Sequence, residues 1–319
     1  MNKYLLAIET GGTKLQLALG DQDGNLLYRL KTRIDSEKGK DGILTQIREN
    51  LPLIKKEAEQ RDGTIEKIGV GFGGPVDSNA GVTLWSAQVT GWEKFPLADY
   101  LTRETGITTR VFNDSNAAAW GEYKKGTGKN CSNFFYTNMG SGVGGGAVIN
   151  GKLFDGQGTG AAEIGQTYLY NPDKIPGCRY PVNHLEKVCS GWSIQEKMRH
   201  DYIPRDSVLL KMADNDQRKI TCEMWSSAIK QKDPYSLKIL DEVSEYFALG
   251  LCNAICFYSP EVIAIGGGVS LIGDPLISRI TKYVDRYVYR NSQGRYQITK
   301  SSLDENVVTV GTLLLLSEQ

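Results

Sequence analysis

Glycine gathers at three points of this 319-residue chain where an apolar, strand-like run ends: Gly11–Lys14, Gly140–Gly145 and Gly266–Gly268. The densest reads NMGSGVGGGAVING from Asn138 to Gly151, with five glycines in seven residues. A flexible linker would be longer and richer in serine, and here strand-like runs flank the glycines closely. Gly140, Gly142 and Gly145 satisfy G-x-G-x-x-G. A dinucleotide fingerprint, however, needs a helix directly after it, so that the helix N-terminus meets the pyrophosphate. The residues that follow, AVINGKLF, are β-like with an Asn-Gly turn, and no acidic residue closes a following strand at the required distance. No G-x-x-x-x-G-K-[ST] loop occurs. What remains is a hairpin turn in which glycine lets the backbone approach closely and successive amides converge on an anion. One such turn says little; two, with a third glycine turn after a strand, point to a phosphate chain.

These turns need strands to hold them. Tyr4–Ile8 is rich in strand formers and runs into Glu9-Thr10-Gly11-Gly12-Thr13-Lys14; Leu15, Leu17 and Leu19 then alternate, Asp23-Gly24 makes a turn, and Leu26–Leu30 follows. The second half repeats this layout. Asn133–Thr137 runs into the glycine stretch, Ala147–Ile149 follows, Asn150-Gly151 turns, and Lys152–Phe154 returns. Between the copies, Ile43, Leu44, Ile47, Leu51 and Ile54 recur at helical spacing. Lys67–Phe72 predicts a strand closed by Gly73-Gly74-Pro75, Leu97–Arg103 a short helix, Thr109–Phe112 a strand, and residues 115–125 a helix opened by polar caps. Long helical segments follow, notably 236–257, then a strand Glu261–Ile265 and a final helix-like run Val310–Ser317. Duplicated hairpins interleaved with helices predict two α/β lobes with a cleft between them: residues 1–114 with the C-terminal helix 307–319, and residues 115–306.

Composition narrows the class. Lys+Arg and Asp+Glu are equal at 37 each, which speaks against a dedicated nucleic-acid binder; a local basic patch stays open. No window approaches the ~18 apolar residues of a membrane span, and MNKYLLAIET lacks the apolar core and cleavage site of a signal peptide. A cytoplasmic protein away from membranes, with its six cysteines reduced, is the expectation. Cys252 and Cys256, one helical turn apart, read as buried core thiols.

Glu9-Thr10-Gly11-Gly12-Thr13-Lys14, Gly73-Gly74-Pro75, Asn113-Asp114-Ser115-Asn116-Ala117, Gly140–Gly146 and Glu163-Ile164-Gly165, in this order over nearly the whole chain, resemble the ROK family (repressor, open reading frame, kinase) of bacterial sugar kinases and related regulators. The resemblance implies the actin-like ATPase (ribonuclease-H-like) fold shared with hexokinase, with ATP, Mg2+ and a sugar in the interdomain cleft. Under it, Gly11, Gly12, Thr13 and Lys14, with Gly140, Ser141, Gly142, Gly144 and Gly145, read as phosphate contacts. Gly266, Gly267 and Gly268 form the turn near the nucleoside. Gly73 and Gly74 fall on the substrate side. Asp114 is the implied catalytic base, taking the proton of the sugar hydroxyl that attacks the γ-phosphate; an N-cap of the helix is the other reading, and Ser115 could serve as that cap instead. Asn113 is implied to bond a sugar hydroxyl, or is a turn residue.

Several positions depart from the family. Glu9 stands where Asp is commonest; its carboxylate still reaches toward Mg2+ and phosphates, unless it is only a charge at a strand end. Lys14 meets a phosphate or lies exposed on its strand. Glu163 and Gln166 sit in GAAEIGQ, where the family usually ends in a His that contacts sugar and binds a structural zinc. Gln can still bond a sugar but is a poor zinc ligand. The zinc knuckle should fall at residues 177–186, and alignment on Glu186 puts Gly177, Arg179 and His184 at the cysteine positions, with Cys178 out of register. No metal site and no structural zinc are therefore expected, while Glu186 still reaches the sugar. Trp92 lies near the implied sugar pocket or in a core. The expectation is an ATP-dependent hexose kinase acting on the 6-OH. The alternatives are a ROK sugar-responsive regulator, for which the eight residues before Glu9 leave no DNA-binding module, and a sugar sensor that has lost catalysis. The sugar itself stays open, and a homodimer is allowed by the family.

Overall fold

The computed structural model describes residues 1–171 and 176–318; Gln319, at the end of the expected helix 307–319, lies outside them. The chain forms two compact units: unit 1, Met1–Tyr136 with Gly146–Ala161 and Ser302–Gln319, and unit 2, Thr137–Gly145 with Ala162–Ser301.

In chain order the elements begin with β1 (Asn2–Thr10), β2 (Lys14–Gly20), β3 (Leu26–Arg33), α1 (Gly39–Glu59), β4 (Gly63–Phe72), β5 (Val76–Asp77), β6 (Val82–Thr83), α2 (Leu97–Thr105), β7 (Thr108–Asn113) and α3 (Asp114–Lys125). They continue with β8 (Phe134–Met139), β9 (Val143–Ile149), β10 (Lys152–Phe154), β11 (Tyr168–Tyr170), β12 (Val182–His184), α4 (Glu186–Cys189), α5 (Gly191–His200), α6 (Val208–Met212) and α7 (Cys222–Lys230). The last are α8 (Pro234–Tyr258), β13 (Val262–Gly266), α9 (Asp274–Tyr287), β14 (Gln297–Lys300) and α10 (Val307–Ser317). One sheet has the order β3-β2-β1-β4-β7 and another β10-β9-β8-β13-β14. The strand duplication visible in the sequence is thus a duplication of sheet order.

The first sheet shows how sequence period becomes packing. Along β2, Leu15, Leu17 and Leu19 enter the cluster built with Ile43, Ile47 and Ile54 of α1, while Gln16 faces Thr309 of α10. Along β4, Ile68, Val70 and Phe72 join the α1 cluster, and the alternate residues are glycines. A Cβ on Gly69 would stand 2.6 Å from Thr312, and one on Gly71 would stand 2.6 Å from Val308. The glycines form the groove in which α10 lies. Gly311 of α10 in turn presses on α3, where an added Cβ would stand 1.7 Å from the Ala117 carbonyl oxygen. Helix α10 starts at Val307, as the expected helix 307–319 does and three residues before the apolar run Val310–Ser317, and its apolar residues are buried from Val307 to Leu316.

The Asx-Gly turns behave as expected: Asn150 and Gly151 take φ of 51° and 75°, the left-handed pair that a type I′ hairpin requires. The dense glycine stretch differs from expectation, because Gly144 and Gly145 lie inside β9, leaving Gly140–Gly142 as the turn. One open alternative is decided and one expectation corrected. Trp92 is buried between Phe72 and Phe95, with ring centroids at 5.1 and 5.7 Å, so it is a core residue of unit 1. Cys252 is half-buried and Cys256 exposed, because the buried stripe of α8 runs through Phe247, Leu251, Ala254 and Ile255. Among the described residues no helix is long and apolar enough to cross a membrane.

Candidate active site

In unit 1 the chemistry-bearing residues converge at the ends of β1, β4 and β7. The Gly73 amide donates to the Thr10 carbonyl at 2.8 Å. A Cβ on Gly73 would stand 3.0 Å from Gly11 Cα and 3.5 Å from Asp114 Oδ2, so a side chain there would crowd the Gly11 backbone where these three segments meet. The Gly11 amide donates to the Lys14 carbonyl at 3.4 Å, closing the first turn, and Gly12 packs under the Gln88 side chain. Thr13 is exposed at the tip.

Asn113, rather than Asp114 or Ser115, caps α3: its Oδ1 accepts from the Asn116 amide at 3.0 Å, and its Nδ2 donates to the Gly74 carbonyl at 3.2 Å. The cap fixes the helix start and leaves the Asp114 carboxylate outside the capping bond. Ser115 Oγ donates to Asp114 Oδ1 at 3.3 Å. Burial pushes the Asp114 carboxyl up to about 6; the neighbouring Glu9 charge adds to the rise, and the Ser115 hydrogen bonds oppose it. Glu9 is itself raised, by burial first, with Lys14 opposing. Its Oε1 pairs with Lys14 Nζ at 2.8 Å, while its buried Oε2 has no hydrogen-bond partner. Asn116, one turn along α3, donates from Nδ2 to Asp155 Oδ1 at 2.6 Å. That bond ties α3 to the 155–161 loop, and nothing in the sequence singled it out.

In unit 2 other segments press on the base of the Gly140–Gly142 turn, while its tip at Ser141 is exposed. The Gly140 amide donates to the Gly142 carbonyl at 2.9 Å and the Gly144 amide donates to Asn138 Oδ1. Three further glycines let other segments touch this turn. A Cβ on Gly165 would stand 2.0 Å from the Val143 carbonyl oxygen; one on Gly191 would stand 2.9 Å from the Gly140 oxygen. One on Gly267, whose φ is 84°, would stand 2.6 Å from the Met139 carbonyl. Of the third glycine turn, Gly266 ends β13 and Gly268 opens a short 3-10 turn whose Ser270 Oγ bonds the Gly267 carbonyl at 2.7 Å. Gly165 is part of the Glu163-Ile164-Gly165 motif and Gly191 is an isolated glycine in the sequence; the close approach that each allows is visible only in the packing.

Glu163 and Gln166 are exposed, and Glu186 opens α4. Glu186 Oε2 accepts from the Val143 amide at 2.9 Å, and Oε1 accepts from Gln166 Nε2 at 3.4 Å. A Cβ on Gly142 would stand 2.6 Å from Glu186 Oε2. Ser141 is exposed at the tip of the turn.

The residues at the zinc-knuckle positions do not fit that metal. His184 pairs across the β11–β12 hairpin with Tyr168 and packs on its ring, with centroids 4.7 Å apart. Among the described residues no group of three His, Cys, Asp or Glu could hold a metal ion. For Mg2+ the fit is better, since the bare Glu9 Oε2 is a hard oxygen of the kind that ion takes.

Paired sheets of this order, with glycine turns at their strand ends, define an α/β protein of the actin-like ATPase class. The ROK family's sequence pattern matches residues 5–319, and the chain belongs to that family. It is 28% identical over 315 residues to the glucokinase of Thermotoga maritima, covering 99% of this chain and 98% of that protein. A ROK glucokinase from Streptomyces griseus, solved in complex with glucose and AMPPNP, superposes with a TM-score of 0.85 at 27% identity, covering 98% of both chains. A ROK transcriptional regulator, a homologue of the E. coli Mlc protein, superposes with a TM-score of 0.82 at 20% identity over 99% of this chain and 78% of that one; at that identity the likeness concerns the fold.

Proposed function

We propose that the protein is an ATP-dependent sugar kinase that transfers the γ-phosphoryl group of ATP to a hexose hydroxyl, the 6-OH in the first instance. The observation that carries this reading is Asp114: a carboxylate left outside the helix cap, within reach of the Gly11 and Gly73 backbones, with its pKa pushed up to about 6. A base poised near working pH is suited to proton transfer. In this reading Asp114 accepts the proton of the attacking hydroxyl as the sugar oxygen bonds to phosphorus and ADP departs. The amides and side chains of Gly11–Lys14, Gly140–Gly145 and Gly266–Gly268 bind the nucleotide. Glu163, Gln166 and Glu186 hold the sugar, with Gly73, Gly74 and the remaining Nδ2 hydrogen of Asn113. Bound Mg2+, near Glu9, supplies charge neutralisation on the phosphates. The glucokinase relatives and the glucose complex support a hexose as acceptor.

The test is coupled ATP consumption against a panel of glucose, fructose, mannose and N-acetylhexosamines, with Asp114→Asn as control. Turnover on at least one sugar that Asp114→Asn removes supports the kinase. No turnover on any of them points instead to a sugar-binding sensor.

A further inference from the structure

We propose that Glu186 is an internal anion that occupies the glycine turn until phosphate displaces it, an inference that rests on the reading of this turn as a phosphate site. Three observations within unit 2 carry it. Glu186 Oε2 takes the Val143 amide at 2.9 Å, the backbone donor next to the turn's tip. The same oxygen lies 2.6 Å from where a Cβ of Gly142 would be, so the carboxylate is seated against the turn backbone rather than beside it. The turn itself cannot swing away, because Gly165, Gly191 and Gly267 press other segments against Met139–Val143.

A carboxylate on a backbone amide in a glycine turn imitates one oxygen of a phosphate. Two anions cannot share those donors without repulsion, so a phosphate arriving at the turn must meet Glu186 as a competitor. The other carboxylate oxygen accepts from Gln166 Nε2 at 3.4 Å. A sugar hydroxyl donating to Glu186 would draw the carboxylate toward Gln166 and release the Val143 amide. Sugar and nucleotide are then coupled through one side chain: sugar bound at Glu186 opens the turn to phosphate, and by reciprocity nucleotide in the turn favours sugar. A Glu186 that serves only as a sugar ligand predicts something different, namely no effect on nucleotide affinity when sugar is absent.

The experiment measures AMPPNP affinity with Mg2+ by calorimetry, without and with glucose, on the full chain. For Glu186→Gln the sugar-free affinity should tighten by about tenfold, the order expected when one charge-assisted competitor is removed, and glucose should no longer alter it. Far-UV circular dichroism checks folding; if Glu186→Gln is unfolded, Glu186→Asp, one methylene shorter, should tighten binding in the same direction. Wild-type binding of AMPPNP that neither Glu186 variant tightens overturns the inference and leaves the kinase reading intact. No AMPPNP binding by the wild type, with or without glucose, removes the phosphate reading of the turn and the inference together.

Discussion

Replacing Asp114 by asparagine should make the protein more stable while disabling it. An ordinary aspartate titrates near 3.8 and Asp114 near 6. At about 1.4 kcal/mol for each pH unit, keeping this carboxylate ionised in the folded state costs up to about 3 kcal/mol. The sign follows from proton uptake. Between pH 3.8 and about 6 the folded protein holds a proton on Asp114 that the unfolded chain has lost, so stability falls as pH rises through that window and the full penalty is present above it. Asparagine has nearly the same shape and no charge to desolvate. Urea unfolding of wild type and Asp114→Asn at pH 7.5 should therefore show the variant more stable by as much as about 3 kcal/mol. The gap should close as pH falls toward 4. Turnover should drop by roughly 10²–10⁴-fold, the contribution of a positioned base. A variant less stable than wild type at pH 7.5, or a stability gap indifferent to pH, would refute the argument that burial and the Glu9 charge raise this carboxyl.

Glu9→Gln removes the charge that, after burial, lifts Asp114 most; the acidic limb of the kcat/KM profile should move to lower pH, and an unmoved limb would sink the coupling. Gly311→Ala places a methyl 1.7 Å from the Ala117 oxygen, and a thermal melt should show destabilisation of about 1–3 kcal/mol or more; an unchanged Tm would mean that α10 and α3 separate easily. Incubation with EDTA should leave the melting temperature unchanged and metal analysis should find no stoichiometric zinc, since Gly177, Arg179 and His184 stand at the knuckle positions in place of three thiolates.

How much could be read in advance depended on the kind of signal. Period-two runs such as Leu15-x-Leu17-x-Leu19 and the Asn150-Gly151 turn carry their meaning locally, and the hairpins they predict are present. The glycine stretch was legible as a turn but not as a strand: Gly144–Gly146 sit in β9 because ladder bonds and close neighbours such as Ser115 override glycine's weak strand preference. Asn113 as the cap was hidden because Asn, Asp and Ser stand in a row, each a competent cap, and only the backbone decides. The packing roles of Gly165 and Gly191 were hidden for a related reason. A glycine needed for close approach has no local signature when its neighbour lies far along the chain. The start of α10 at Val307 has no side-chain cap and follows from its packing in the Gly69–Gly71 groove, whereas α3 starts at the Asn113 cap.

The groove cut by Gly69 and Gly71 has a bearing on how the molecule is made. Strand β4 leaves the ribosome early, but the helix that fills its groove is Val307–Ser317. Unit 2, residues 137–145 and 162–301, is synthesised in between. At translation rates of about 5–20 residues per second, the first sheet, whose last strand ends at Asn113, waits roughly 10–40 s for Val307 with one face bare. During that interval the nascent N-terminal segment is a natural client for a holdase, whereas most of unit 2 already has its helices at hand. Vectorial synthesis thus orders maturation, with the later-made unit completed before the earlier one.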